Sequence, residues 1–293
     1  SGGPTAVINS SLYGVWKEGK AHPEAIGTIY GMVNGISGFL EEHILDLTAL
    51  PEEQARLWRT TPAAYLGSCR YKLPENLDDA VYPLIFEKLQ KYQIGYVLYI
   101  GGNDSMDTVS KLSRYGNKIG SDIRFLGVPK TIDNDLVLTD HTPGFGSAAK
   151  YVAAMVRQMV MDSEVYNTQS VTIIEIMGRA AGWLTAASVL ARRFEGDNPV
   201  LIYLPEIAFD IEAMLSRLQA LLLVKKNIII CVSEGIHDAE GRLICEYEKE
   251  IGADVFGHKN LTGCGKVLEN IIKDRLGIKV RSVELNITQR CSA

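Results

Sequence analysis

Short apolar, β-rich runs recur along the chain, and each ends in a Gly, Asn, Asp or Pro turn before a helical pattern begins. Residues 94–100 (IGYVLYI) run into Gly101-Gly102-Asn103-Asp104-Ser105, then a helical stretch from Met106 to about Tyr115. Residues 125–128 (FLGV) run into Pro129-Lys130-Thr131. Residues 171–176 (VTIIEI) lead to Met177-Gly178-Arg179 and an Ala-rich helical stretch from 180 to about 193. Residues 200–204 reach Pro205-Glu206, and residues 228–232 reach Ser233-Glu234-Gly235. Continuous apolar strands alternating with amphipathic helices predict parallel βαβ units covered on both faces, an α/β fold of Rossmann-like character. In such sheets the ligand sits beyond the carboxyl ends of the strands. Those ends carry nearly all the Gly, Asp, Lys and Arg residues just named.

The organisation is two-part. The acidic loop 131–140 is followed by Pro143-Gly144-Phe145-Gly146 and a helical pattern over 147–163, which predicts a division near residue 140. An active site in a cleft between two α/β lobes accounts for polar loops in both halves. The chain opens without Met in the turn Ser1-Gly2-Gly3-Pro4-Thr5, of a kind that normally follows a strand, and closes at residues 289–293, so a piece of a longer protein is expected.

Composition narrows the possibilities. Of 293 residues, 46% are hydrophobic and 22% charged, which argues against wholesale disorder. A net charge of −5 disfavours a nonspecific nucleic-acid binder but permits a local cationic pocket for a phosphorylated ligand. No apolar run approaches the ~20 residues of a membrane span. The five cysteines, 69, 231, 245, 264 and 291, form no CxxC pair, and reduced thiols in a cytoplasmic enzyme are expected. The five histidines show no HxxxH or HExxH spacing. Cys264, in Thr262-Gly263-Cys264-Gly265, reads as a turn residue.

Gly101-Gly102-Asn103-Asp104-Ser105 is either a phosphate-binding turn at a helix N-terminus or a tight strand–helix turn capped by Asp104 or Ser105. Asp104 repels a phosphate unless a metal or a Lys intervenes. Pro129-Lys130-Thr131-Ile132-Asp133-Asn134-Asp135 is the sharpest segment. Asp133 and Asp135, two apart in an extended loop, are expected to face one site. There one carboxylate can take a hydroxyl proton, another can hold Mg²⁺, and Lys130 can neutralise a transferring phosphoryl group. The alternative is a solvated acidic turn. Arg179 can fork onto a phosphate or make a surface salt bridge, and Glu234 can accept from a sugar hydroxyl or merely end its strand.

In order, the Gly-Gly-Pro turn, Gly-Gly-Asn-Asp-Ser, Pro-Lys-Thr-Ile-Asp-Asn-Asp, Met-Gly-Arg, Ser-Glu-Gly and Gln-Arg make the chain resemble the 6-phosphofructokinase family from Gly2 to Arg290. Asp104 and Lys130 resemble the diphosphate-dependent branch, since ATP-using members typically carry Gly at both positions. The resemblance implies a donor-binding lobe over 1–140 lacking its first strand, a sugar-phosphate lobe over 141–288, and the start of a return to the first lobe over 289–293. It implies reversible phosphoryl transfer from diphosphate to the 1-hydroxyl of fructose 6-phosphate, with Mg²⁺. Asp133 would be the general base, with Asp135, Thr131 and Lys130 beside it. Gly3, Arg70, Gly102, Asp104, Ser105 and Lys130 would line the donor site. Thr131, Asp133, Met177, Gly178, Arg179, Glu234, Arg281 and Arg290 would hold the sugar phosphate. Arg281 would come from a neighbouring subunit of a homo-oligomer, a dimer or tetramer. Asn103 stands where many members have a magnesium-linked Asp, which shifts metal ligation towards Asp104 or water. Ser170 and Ile287 also depart from the family pattern. No nucleic acid or membrane partner is expected. The alternatives are an ATP-dependent 6-phosphofructokinase, a non-catalytic regulatory subunit that binds sugar phosphate, and a related kinase acting on NAD or lipid.

Overall fold

The computed structural model describes residues 2–247 and 263–293. Ser1 and Thr262, named in the two turns above, lie outside these residues. Contacts divide the chain into one unit of residues 1–131 with Ala293 and another of residues 132–292. The division falls after Thr131 and not after residue 140. The reason is local: buried Asn134 accepts from the Thr142 N–H (2.9 Å) and donates to the Asp140 carbonyl (3.2 Å), which ties the acidic loop to the second unit. At the other end only Ala293 joins the first unit, where its carbonyl accepts from the Ala6 N–H at 2.7 Å.

The first unit runs α1 (Ala6–Ala21), β1 (Tyr30–Met32), α2 (Gly35–Leu40), β2 (Ile44–Asp46), α3 (Glu52–Leu57), α4 (Val81–Lys91), β3 (Tyr96–Gly101), α5 (Asn103–Lys118) and β4 (Arg124–Pro129). β1 and β2 pair antiparallel, and β3 and β4 pair parallel with Gly101 opposite Pro129. Val97 and Tyr99 of β3 pack on Ile85, Phe86, Leu112 and Tyr115 of α4 and α5. On α1, Tyr13 and Trp16 join Leu47, Ala55 and Trp58 in a second core, and the Trp16 indole donates to the Leu47 carbonyl at 2.8 Å.

β3 differs from expectation on its other face. Tyr96 and Leu98 are 58% and 42% exposed, and with Ile100 and Leu126 they line a cavity of about 860 Å³ walled also by α1 and β1. None of the predicted donor or sugar contacts lines it.

The second unit runs α6 (Phe145–Glu164), β5 (Ser170–Ile176), α7 (Trp183–Ala187), β6 (Leu201–Tyr203), α8 (Ile211–Leu222), β7 (Asn227–Ser233), α9 (Cys264–Leu276), β8 (Lys279–Glu284) and α10 (Asn286–Cys291). Its strands form a parallel sheet in the order β6-β7-β5-β8 among the described residues. Met214, Leu215 and Leu218 of α8 and Val267, Leu268 and Ile272 of α9 pack on Val171, Ile173, Ile228, Ile230 and Val232. α6 runs along β5. This is the α/β class the pattern predicts, with parallel pairing in both units.

Two helix boundaries differ from the sequence reading. α5 begins at Asn103 and not at Met106; its N-cap is Gly102, and no side chain caps it, neither Asp104 nor Ser105. The stretch from 180 to 193 is helical only over α7 and a following 3-10 turn, Ser188–Ala191. Gly178 at φ +127 and the Gly182 N–H, given to the Glu206 carboxylate at 2.7 Å, hold residues 177–182 as a turn.

Candidate active site

In the first unit, the carboxyl ends of β3 and β4 bring several predicted donor residues together. The Lys130 N–H donates to the Gly101 carbonyl at 2.9 Å, which extends the β3–β4 register by one residue. Lys130 is 6% exposed, and Thr131 beside it is also buried. A Cβ on Gly102 would lie 3.6 Å from the Lys130 carbonyl oxygen, and a Cβ on Gly2 would lie 3.5 Å from the Gly102 nitrogen. The Gly2–Gly3 turn, the Gly101–Gly102 turn and Lys130 thus stack in close succession, with Gly2 at φ +85. The Ser68 hydroxyl donates to the Gly2 carbonyl at 2.7 Å and brings the loop that carries Arg70 to the same turn. Arg70 is exposed. Ser105 is buried in the first turn of α5, and its N–H donates to the Gly102 carbonyl at 2.9 Å.

Asp104 is exposed, and its carboxylate lies 3.7 Å from Lys72 Nζ. The cation demanded beside this carboxylate is therefore present, on a residue the sequence reading did not single out. No group of three or more His, Cys, Asp or Glu side chains able to hold a metal occurs among the described residues. Mg²⁺ commonly binds through one or two carboxylates, substrate phosphates and waters. One exposed carboxylate at the start of α5, with Asn103 next to it, fits a metal that arrives with a phosphorylated ligand.

In the second unit, the ends of β5 and β7 meet. The Ser233 hydroxyl donates to the Gly178 carbonyl at 2.5 Å, and the Gly178 N–H points at the Glu234 carboxylate at 3.4 Å. A Cβ on Gly235 would sit 1.8 Å from the Arg179 carbonyl oxygen, so the two strand-end turns pack with no room for a side chain. The Met177 N–H donates to Gln289 Oε1 at 3.4 Å, which places α10, and with it Arg290, beside the Met177 turn. Met177, Gly178, Glu234 and Arg290 are thereby brought together, with Arg179 exposed between them.

Arg281 is not part of this group. It pairs in register with Thr172, five residues before Met177, or roughly 16 Å along the strand. Its guanidinium donates to Asp162 (2.8 Å) and to Thr172 Oγ1 (3.2 Å). Asp133 and Asp135 are partly buried and flank Asn134, which takes φ +59. The left-handed residue breaks the period of two that an extended segment would give, so spacing alone does not set their common face.

Beneath the Met177 turn lies Glu175, pushed up from the usual carboxylate range first by burial, while the Gly265 N–H at the start of α9, donated to it at 2.7 Å, opposes the shift. Glu284 lies opposite it on β8. Burial raises the thiols of Cys231, to about 12, and of Cys264, so neither is a nucleophile. None of the five cysteines forms a disulfide.

The sequence reading missed Asn9, Ser68, Lys72, Ser233 and Gln289. Of these only Asn9 carries a signal, a polar residue on the otherwise apolar buried stripe Ile8, Tyr13, Trp16 of α1.

The phosphofructokinase family model matches residues 1–293. The chain belongs to the phosphofructokinase family. A pyrophosphate–fructose 6-phosphate 1-phosphotransferase of Rhodospirillum rubrum is 42% identical over 99% of this chain and 71% of its own length. A protein of the same name from Methylococcus capsulatus is 40% identical over 100% of this chain and 70% of its own. The crystal structure of a pyrophosphate-dependent phosphofructokinase from Nitrosospira multiformis superposes with a TM-score of 0.84 at 35% identity, covering 100% of this chain and 69% of that one. Within the phosphofructokinase family, the strand-end turns described above are those that carry the motifs of the resemblance. No helix among the described residues is long and apolar enough to cross a membrane.

Proposed function

We propose that the chain transfers a phosphoryl group from diphosphate to the 1-hydroxyl of fructose 6-phosphate, giving fructose 1,6-bisphosphate and phosphate. The observation that carries the donor choice is the pair Lys130 and Asp104 flanking the Gly101–Gly102 turn. A side chain at 104 intrudes where the α-phosphate of a nucleotide must pass, and a buried ammonium at 130 holds the charge of the smaller donor. The relatives at 40–42% identity carry names that state the same reaction.

The roles follow from the chemistry of each side chain. Asp133 takes the proton of the 1-hydroxyl as the general base, and Asp135 tunes that carboxylate. Lys130 and Arg70 neutralise the charge that spreads over the transferring oxygens, and Thr131 donates to them. The backbone N–H groups of the Gly3 and Gly102 turns face the donor, and Ser105, in the first turn of α5, holds the Gly102 turn through its own N–H. Met177, Gly178, Arg179 and Glu234 orient the sugar, and Arg290 holds its phosphate. Asp104, with Asn103, would hold Mg²⁺ delivered with the diphosphate, and the ion would supply positive charge to offset that of the donor. Arg281, distant from the Met177 turn in its own chain, serves the site of a neighbouring copy, which makes the enzyme a homo-oligomer. Transfer between two similar phosphate compounds has little driving force, so the reaction runs both ways. A cytoplasmic place in sugar breakdown suits these substrates.

The test is fructose 1,6-bisphosphate formation with diphosphate and with ATP, each with Mg²⁺. Activity with diphosphate alone supports the reading. Activity with ATP overturns the argument at 104 and 130. Tight fructose 6-phosphate binding with no turnover on either donor makes the chain a regulatory sugar-phosphate binder.

A further inference from the structure

We propose that Asn9 and Ser68 are positioning residues for the diphosphate donor, an inference that rests on the donor-site reading of Gly3 and Arg70 above. Asn9 lies one turn into α1 and is completely buried. Its side-chain amide donates to the carbonyls of Thr61 (2.8 Å) and Ala63 (3.0 Å) and accepts from the Tyr65 N–H (2.6 Å). Both N–H bonds and the carbonyl are thus committed to three residues of one loop. An amide so engaged cannot turn without stranding a backbone group, and each stranded group costs more than its bond contributes.

Downstream the same loop is pinned twice more. The Asn34 N–H donates to the Leu66 carbonyl at 2.7 Å, and its amide reaches the Ser68 carbonyl at 3.4 Å. Gly67, at φ +71, lies so close to Asn34 that a Cβ would stand 2.4 Å from Asn34 Nδ2. The Ser68 hydroxyl then closes on the Gly2 carbonyl at 2.7 Å. Arg70 comes two residues later with its side chain exposed.

The order of these contacts defines their purpose. α1 begins just after the Gly2–Gly3 turn and, through Asn9, holds the loop that supplies Arg70. Ser68 ties that loop back to the turn itself. The cation and the backbone turn that face the donor are therefore fixed relative to each other before any ligand arrives. Fixing them in advance removes an ordering cost from diphosphate binding. Neither residue touches the donor; both act through the turn and Arg70.

Steady-state kinetics on the full chain test this, with diphosphate and fructose 6-phosphate varied separately. Ser68→Ala is expected to raise the KM for diphosphate by about 2–10-fold, the factor set by one net hydrogen bond. The kcat, the KM for fructose 6-phosphate and the melting temperature should stay close to those of the parent. Ser68→Thr, which keeps the hydroxyl, should restore the diphosphate KM. Asn9→Ala should raise it further where the variant folds, and Ser68→Ala decides the matter where it does not. Arg70→Ala is the control for the site itself. If it raises the diphosphate KM while Ser68→Ala does not, the positioning role is wrong and the donor site stands. If Arg70→Ala leaves that KM unchanged, the donor-site reading of this loop fails, and the inference falls with it. An equal rise in both KM values with a lower melting temperature marks Ser68 as merely structural and also overturns the proposal.

Discussion

β3 and β7 are both short apolar runs that end in a polar turn, yet they are held differently. β7 is buried at all seven positions, with the sheet continuing on both sides. Among the described residues β3 pairs with β4 alone, and Tyr96 and Leu98 are exposed where Val97 and Tyr99 are buried. The consequence shows at their ends. The turns after β5 and β7 meet in close backbone packing, with Gly235 against the Arg179 carbonyl, and the Ser233 hydroxyl bonds across them to the Gly178 carbonyl. In the first unit the turns after β3 and β4 are joined by the backbone bond from Lys130 to Gly101, and the long segment before α4 is fixed by side chains: Asn9, Asn34 and Ser68, with buried Lys111 bonded to the Leu73 carbonyl (3.1 Å) and to Glu75 (2.5 Å). Close backbone packing at Gly235 leaves no room for a side chain in the second unit, whereas in the first a succession of side-chain hydrogen bonds sets where the Arg70 loop sits. The first device fails by overpacking and the second by losing a hydrogen bond.

The sharpest way to break the comparison is at the segment where one unit passes to the other, because adjacent residues there have different tasks. Asp133→Ser should lower kcat by ~10²–10⁴ with a modest change in either KM, if Asp133 is the base proposed above, since the change then removes proton transfer and little binding. An unchanged kcat would remove Asp133 from its role. Lys130→Gly, three residues earlier, should instead cost diphosphate turnover by about 10²–10³, the scale of losing one group that stabilises developing charge. Measured with Asp104→Gly in the same chain, it also asks whether ATP gains activity. Rates on both donors, compared with the parent, give the answer. Failure of Lys130→Gly to reduce diphosphate turnover would separate the buried ammonium from donor chemistry.

Gly235→Ala tests the second unit's device. A Cβ there would overlap a backbone carbonyl at 1.8 Å, and backbone cannot swing away as a side-chain tip can. Thermal or denaturant unfolding should show a loss at the upper end of roughly 1–3 kcal/mol. The surviving folded protein should lose affinity for fructose 6-phosphate before it loses affinity for diphosphate. Equal stability to the parent would mean that the two turns can separate freely.

Legibility in the sequence divides along the same line. The strand ends and their motifs were readable because a continuous apolar run stopping at Gly, Lys or Arg is a local signal, and its repetition gave the parallel class. Thus the pattern alone marks Lys130 and Asp133 as candidates, while the role of Met177 rests on the family resemblance and Glu234 reads from pattern either as a sugar contact or as a strand end. The three-residue strands β1 and β2 were not, being too short to show alternation. Asn34 at φ +57 and Asn134 at φ +59 were not either, since a left-handed Asn reads like any other polar residue. The clamps were the least visible of all. Asn9 contacts residues more than fifty positions away, and no local period reports a contact of that range.

Glu175→Gln gives the smallest expected effect and sharpens the comparison furthest, because it changes charge while keeping shape beneath the second unit's site. Burial holds the Glu175 carboxyl above its ordinary value, and Glu284 and Glu234 push in the same direction. The Gly265 N–H and the Cys264 thiol oppose them and lose. A carboxyl whose folded value is raised binds its proton more tightly in the native state. Stability from this group is therefore greatest below the unfolded value near 4.5 and falls as pH rises from there through the raised value. Gln keeps an acceptor for the Gly265 N–H and has no charge to desolvate. The melting temperature of the variant relative to the parent should accordingly climb between pH 4 and the raised value and then level off. A difference that stays flat with pH would show that Glu175 is ionised without cost, and that α9's N-terminus compensates fully for its burial. In that case the N-terminus of α9 joins Ser233 as a polar clamp of the second unit, and the contrast between the two units narrows to one of degree.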